Sequence, residues 1–181
     1  GYVLSSGTEA NSVVVNGMSN YKRNSPFANS AIVISIDHDK NFGGDKWGGL
    51  KMRRKLETDA FNMVQQAGGT KEIPVQRLTD FLSRKNGPAL KSSSPSHVVP
   101  APLHELMPKE MYKALVNGIE NFAMSGFISD QAQLHAIESR TSCPIRVTRD
   151  SKTLQSLSHE GLYPCGEGAG YAGGITSAAC D

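Results

Sequence analysis

Apolar residues recur at helical intervals in two stretches of the chain. The first covers residues 56–67 and is followed by Gly68-Gly69, which is typical of a helix end. The second begins at Pro108, a residue suited to the first helical position, and stops at Gly126. A shorter helix is predicted over 74–85. The apolar stripe of the second stretch consists of Met111, Leu115, Ile119 and Phe122.

Runs of β-prone residues lie on both sides of these helices. Residues 2–4, 12–15 and 31–36 predict three strands, with a tight turn at Asn16-Gly17, and the third run is apolar enough for burial on both faces. Residues 133–138 and 145–149 alternate polar and apolar side chains, as half-buried strands do. Residues 86–107 are predicted to be loop. We therefore expect an α+β fold, with an antiparallel or mixed sheet from 1–36 and 131–149 and about three helices from 50–126 on one face.

Composition narrows the class of protein. The 181 residues are 38% hydrophobic and 20% charged, which is typical of a globular protein with one core. No apolar run approaches the roughly 20 residues of a membrane span, and no signal sequence begins the chain. The net charge of +2 argues against a nucleic-acid partner.

Basic and sulfur-containing residues add little specific chemistry. The cations of 51–55 are interpreted as a solvated helix face, with a nucleic-acid patch or a flavin-phosphate contact as alternatives. Cys143, Cys165 and Cys180 fit neither a disulfide framework nor a zinc site. We therefore predict no metal site and expect a cytoplasmic protein.

The most distinctive segment is rich in glycine and lies near the end of the chain, at 161–175. It runs from a short apolar stretch through glycines that surround a single carboxylate, Glu167, and into small residues suited to a helix start. Glycine is needed where the backbone adopts positive φ or approaches a ligand closely, and main-chain N–H groups at a helix start suit polar ligands. The pattern alone leaves two interpretations open, a surface turn and a cofactor cradle.

This segment resembles the C-terminal flavin-contacting segment of FAD-dependent oxidoreductases of the glutathione-reductase-like class. It is most similar to that of a family of bacterial FAD-dependent dehydrogenases. The resemblance implies that Glu167 hydrogen-bonds a ribityl or ribose-side hydroxyl, although Asp is frequent at this position in wider relatives. It also implies that the neighbouring main chain contacts the flavin. The cofactor-binding residues implied in this way are Gly166, Glu167, Gly168, Gly173, Gly174 and Ile175.

Two further blocks resemble the same family. One contains Asn16, Ser19 and Arg23, and the other contains Arg140 and Arg146. The resemblance implies that these residues line the substrate side of the flavin, where paired guanidinium donors suit a carboxylate or phosphate. An arginine salt-bridged at a strand end is the alternative for Arg140. No residue is identified as a general base.

A complete FAD site of this class also needs a Gly-x-Gly-x-x-Gly unit between a strand and a helix, and these residues contain none. We therefore expect a fragment, with residues 1–155 as substrate or cap domain and 156–181 as a return segment of the FAD-binding domain. The expected partners are a small-molecule substrate and the remainder of that domain. FAD is not expected to stay bound to this chain alone, and the fragment could form a homodimer. The alternative is a non-catalytic binding module without a cofactor.

Overall fold

The chain begins with two short antiparallel strands. The computed structural model describes residues 1–7, 9–122 and 126–181. In it, β1 (Tyr2–Ser5) pairs with β2 (Val15–Met18), and Leu4 lies opposite Asn16. The tight turn predicted at Asn16-Gly17 is therefore wrong, because both residues lie inside β2. The register follows from the buried residues at 13–15, which leave the Asn-Gly pair on the exposed part of the ladder.

Two helices follow. The short helix α1 (His38–Phe42) was not predicted, and Asp37 caps it by accepting a hydrogen bond from the main-chain N–H of Lys40 at 3.0 Å. The long helix α2 (Gly48–Gln66) confirms the predicted first helix, since its apolar face is buried. Its fully buried positions include Leu56, Ala60 and Val64.

The segment predicted as a second helix is divided between two elements. Residues of β3 (Ile73–Arg77) form a strand, and only α3 (Leu78–Ser83) is helical. The prediction was wrong over the first half because the first four residues of β3 are buried on both faces. A strand of this kind lacks polar–apolar alternation, so Val75 and Leu78 matched helical spacing by coincidence.

The region predicted as loop contains regular structure as well. It includes β4 (Val98–Pro100) and a 3₁₀ helix, Leu103–Glu105. The predicted third helix is confirmed as α4 (Lys109–Asn121), which Pro108 precedes as the N-cap residue. The helix ends before the predicted stop at Gly126, and residues 123–125 lie outside the described part of the chain.

A small mixed sheet forms the centre of the first unit. In it β3 lies between β4, which is parallel to it, and β5 (Gln133–His135), which is antiparallel. Side chains of α2, α3 and α4 contribute to the same apolar core as this sheet. This architecture confirms the predicted α+β class. The largest fully buried apolar side chains are Phe81, Ile73, Ile119, Val13, Val64 and Val75.

Two predicted strands are absent from the described residues. Residues 31–36 pair with no strand, and Val33 is 60% exposed, so burial on both faces was a wrong expectation. Of residues 145–149, only Arg149 forms an isolated bridge, with Ser156. The main-chain N–H of Val147 donates instead to Ala169 in the glycine-rich segment, at 3.1 Å, so this stretch supports that segment rather than the sheet.

The chain divides into two compact units, residues 1–139 and 140–181. The second consists mainly of turns and ends in the helix α5 (Ile175–Cys180). The predicted assignment of functional domains to 1–155 and 156–181 stays a prediction. Among the described residues, no helix is both long enough and apolar enough to cross a membrane.

Candidate functional site

Two turns shape the glycine-rich segment at 161–175. The N–H groups of Gly170 and Tyr171 donate to the carbonyl oxygens of Glu167 and Gly166, each at 3.0 Å. Gly166 and Gly170 have φ values of 68° and 83°, which L side chains rarely adopt. A Cβ atom at Gly170 would lie 2.5 Å from the carbonyl oxygen of Ile145, so glycine is required there by packing as well. The apolar stretch that opens the segment forms no strand.

An ion pair holds this segment against the end of the chain. Asp181 accepts a hydrogen bond from the N–H of Gly166 at 2.8 Å and pairs with both terminal nitrogens of Arg149, at 2.8 and 2.5 Å. The bond to Arg149 is the main cause that lowers the pKa of Asp181 to about 2, and the Gly166 N–H adds to it. The same guanidinium donates to the carbonyl oxygen of Pro164 at 2.7 Å. The amide of Gly166, predicted to face the flavin, therefore already has a carboxylate partner.

Tyr171 lies beside two guanidinium groups. The Cζ atoms of Arg149 and Arg146 lie 3.8 and 5.0 Å from its ring centroid, and its hydroxyl accepts the N–H of Arg149 at 3.2 Å. Arg146 also donates from Nε to the carbonyl oxygen of Gly170 at 3.1 Å. Arg146 thus contacts the glycine-rich segment directly, and its predicted role on the substrate side stays a prediction.

Glu167 and its neighbouring glycines remain available to a ligand. The side chain of Glu167 is half-buried and makes no hydrogen bond or ion pair within the described residues. A Cβ atom built at Gly168 or Gly173 would meet no atom within 4 Å, so that open space borders the main chain there. A cofactor with hydroxyl groups, such as FAD, can be bound by a carboxylate together with accessible main chain and a helix start. The glycine-rich segment has all three features, so its residues fit FAD.

The helix start after the second glycine pair is confirmed. Gly174 is extended and precedes α5, no side chain caps the helix, and Ile175 is 93% exposed. Neither Gly174 nor Ile175 donates a main-chain hydrogen bond within the described residues. These two N–H groups are therefore unoccupied donors at the position where the family resemblance implies contact with a flavin.

Of the predicted substrate-side residues in the first unit, the structure brings two together. Ser19 and Arg23 line a cavity of about 230 Å³, which is also bordered by Ser25 and Asn29. Arg23 makes no ion pair in the described part of the chain. Asn16 lies in β2 and does not line this cavity.

The loop that carries Ser19 and Arg23 is fastened to the hairpin. The side-chain amide of Asn29 donates to the carbonyl oxygens of Tyr2 and Met18, at 3.0 and 3.2 Å. These two bonds tie the loop to both strands, so the cavity has a defined wall. The substrate role of Asn16, Ser19 and Arg23 stays a prediction.

Arg140 belongs to the second unit, as Arg146 does, and it is half-buried with a polar partner. The predicted substrate residues are thus divided between the two units: Asn16, Ser19 and Arg23 belong to the first, and Arg140 and Arg146 belong to the second. Sγ of Cys143 lies 3.4 Å from the carbonyl oxygen of Gly168. All three cysteines are free thiols, and the described residues contain no cluster of metal-ligating side chains.

The cations at the start of α2 are paired with carboxylates. Nζ of Lys51 lies 2.7 Å from Asp45, and that of Lys55 lies 2.5 Å from Asp59. The two arginines between them both reach Glu9. These pairs account for the cations without a nucleic-acid or phosphate ligand, which supports the interpretation as a solvated helix face.

The surroundings of His104 were not predicted from the sequence, which placed this residue in the loop 86–107. The structure buries His104 beside Gln76 of β3, with Nδ1 and the amide nitrogen 2.8 Å apart. No local signal could reveal this pair, because the two residues are 28 positions apart. Only the assignment of Gln76 to a buried strand would have indicated that it needs a polar partner.

Comparison with known proteins gives two similarities. Residues 1–141 match the family model described as FAD-dependent protein, C-terminal domain-like. The chain is also 37% identical over 186 residues to a protein of Clostridium beijerinckii named as uncharacterized. That alignment covers 100% of this chain and 34% of the relative. The chain thus spans about a third of the length of this relative.

Proposed function

Because this chain belongs to the family of FAD-dependent proteins with this C-terminal domain-like region, we propose that it is part of an FAD-dependent dehydrogenase. In this proposal the first unit shapes the substrate side of the flavin. The glycine-rich segment of the second unit supplies contacts to the flavin itself. FAD, when bound, would accept or donate a hydride at its ring system.

The observation that carries this proposal is the state of Glu167. A half-buried carboxylate without a hydrogen-bond partner among the described residues is an acceptor that a ligand hydroxyl would satisfy. It stands between Gly166, whose amide is held by Asp181, and Gly168, whose Cα faces open space. One side of the turn is thus fixed by the protein, and the other is accessible to a cofactor.

The residues proposed to hold the flavin therefore differ in what they contribute. Glu167 would bind a ribityl or ribose-side hydroxyl, and the main-chain N–H groups of Gly174 and Ile175 would donate to the ring edge. Gly166 and Gly170 keep the turn in its left-handed conformation instead of donating to the cofactor. The guanidinium of Arg23, which forms no ion pair in the described part of the chain, would bind an anionic group of the substrate beside Ser19.

The test is the flavin content of the full-length protein with Glu167→Ala. Loss of a hydrogen bond from a charged acceptor corresponds to about 1.5–3 kcal/mol, so FAD affinity should fall by at least about tenfold. The ratio of flavin absorbance to protein absorbance after gel filtration measures this. Glu160→Ala, an exposed glutamate of the same unit, is the matched control and should retain FAD. Equal flavin content in the two variants would contradict the proposed role of Glu167.

A further inference from the structure

A second and larger cavity, of about 470 Å³, lies beside the start of α4 in the first unit. Two of its lining residues, His104 and Tyr112, are buried, whereas its charged residues are exposed. Buried polar groups with charged groups at the entrance are typical of a binding site for a polar small molecule. The lining residues are Arg84, His104, Glu105, Met107, Lys109 and Tyr112.

The tautomer of His104 follows from its contacts with Gln76. The main-chain N–H of His104 donates to Oε1 of Gln76 at 3.1 Å, which identifies the other atom of that amide as nitrogen. This Nε2 atom donates to the carbonyl oxygen of Lys85 at 2.9 Å and lies 2.8 Å from Nδ1 of His104. Nδ1 is therefore a hydrogen-bond acceptor, and the imidazole proton is on Nε2.

The Nε2–H group of His104 has no hydrogen-bond acceptor in the described residues. The carboxylate of Glu105 is the nearest charged group, at 3.5 Å, and its side chain is 60% exposed. The His104 side chain itself is only 5% exposed. This edge of the ring borders the cavity, so a ligand oxygen there would accept its hydrogen bond. The lining therefore favours a ligand that accepts hydrogen bonds.

The charges around the cavity favour an anion. Arg84 and Lys109 form no ion pair within the described residues, and Glu105 is the one carboxylate of the lining. The guanidinium of Arg84 lies 5.2 Å from the ring centroid of Tyr112, another residue of the lining. Helix α4 begins here without a side-chain cap, so its first N–H groups add positive potential.

From these contacts we infer that the cavity binds a small organic molecule that carries an oxyanion, a carboxylate or a phosphate. The oxyanion accepts hydrogen bonds from His104 Nε2 and from the cations Arg84 and Lys109. The apolar part of the ligand lies against Met107 and the ring of Tyr112, since a lone inorganic ion would leave most of the volume unfilled. This inference does not depend on flavin binding, because none of these residues belongs to the glycine-rich segment.

Isothermal titration of the purified protein with phenyl phosphate and with benzoate at low ionic strength tests the inference. At least one probe should bind with a millimolar or lower Kd, and the preferred probe identifies the oxyanion. Lys109→Ala and Arg84→Gly should each weaken that binding by about tenfold. Glycine suits position 84 because Arg84 has a φ of 54°, so this variant keeps the backbone.

Lys113→Ala is the matched control, since Lys113 is an exposed lysine one turn further along α4 and is paired with Glu110. It should leave binding unchanged within about twofold. As a second readout, the ¹⁵N and ¹H shifts of His104 Nε2–H should move on addition of the probe. Absence of binding for both probes at about 10 mM, or equal losses in Lys109→Ala and Lys113→Ala, would overturn the inference.

Discussion

His135 should make the stability of this chain depend on pH. It lies in β5 opposite Val75, and its Nδ1 atom is buried without a hydrogen-bond partner in the described residues. Burial lowers the pKa of His135 from 6.5 to about 4. The folded state thus favours the neutral ring, whereas the unfolded chain takes up a proton as the pH falls below 6.5. Stability is therefore fully present above pH 6.5 and is lost as the pH falls towards 4.

The size of this effect follows from the two pKa values. With 6.5 in the unfolded chain and about 4 in the folded one, the free energy of unfolding should fall by about 2 kcal/mol between pH 7.5 and pH 5. The total would approach about 3 kcal/mol below pH 4, where both states are protonated. A loss of this size is a large part of the stability of a small domain.

Urea unfolding at a series of pH values, followed by circular dichroism, measures this loss. The variant His135→Gln lacks the titrating ring. Between pH 7.5 and pH 5 the decrease in its free energy of unfolding should therefore be smaller than that of the unsubstituted chain by about 2 kcal/mol. His159→Gln, which removes an exposed histidine, is the control for the loss of an imidazole. Parallel pH curves for the unsubstituted chain and His135→Gln would refute the reasoning.

Two further predictions concern the second unit. Gly170→Ala should destabilise the glycine-rich segment by more than about 1 kcal/mol, because its Cβ would meet Ile145 O at 2.5 Å in a left-handed conformation. Gly168→Ala should be close to neutral, and similar urea midpoints for the two variants would contradict this. Arg149→Ala should raise the pKa of Asp181 from about 2 towards 3.8, as followed by NMR of the carboxyl carbon. An unchanged titration would show that Arg149 is not the main cause.

The helices that the sequence predicted well are the ones with one buried face. Helices α2 and α4 each alternate apolar and charged positions with helical period, so that their existence follows from local pattern. The strand β3 carries no such pattern, because its side chains are buried on both faces of the sheet. Whether such a run becomes strand or helix depends on residues far away in the sequence, here those of β4 and β5.

The same distinction applies to the candidate sites. Positive φ at Gly166 and Gly170 was accessible to prediction, because glycine itself signals that conformation. The hydrogen bond from the Gly166 N–H to Asp181 could not be predicted from the sequence, since it joins residues 15 positions apart. It changes the interpretation of the segment, because a donor assigned to the cofactor is used to fasten the chain. The pair of Gln76 and His104 was inaccessible for the same reason.

Support for the flavin proposal comes from two separate parts of the chain. The family model covers residues 1–141, whereas Glu167, half-buried and without a partner in the described part of the chain, lies beyond that range. The family match therefore cannot account for the geometry at Glu167, and that geometry cannot have produced the match. The proposed flavin binding would account for both, whereas a surface turn would account only for the glycines. A turn that served the fold alone would need Gly170 and the bond to Asp181, but it would not need a carboxylate that has no partner among the described residues and lies beside open main chain.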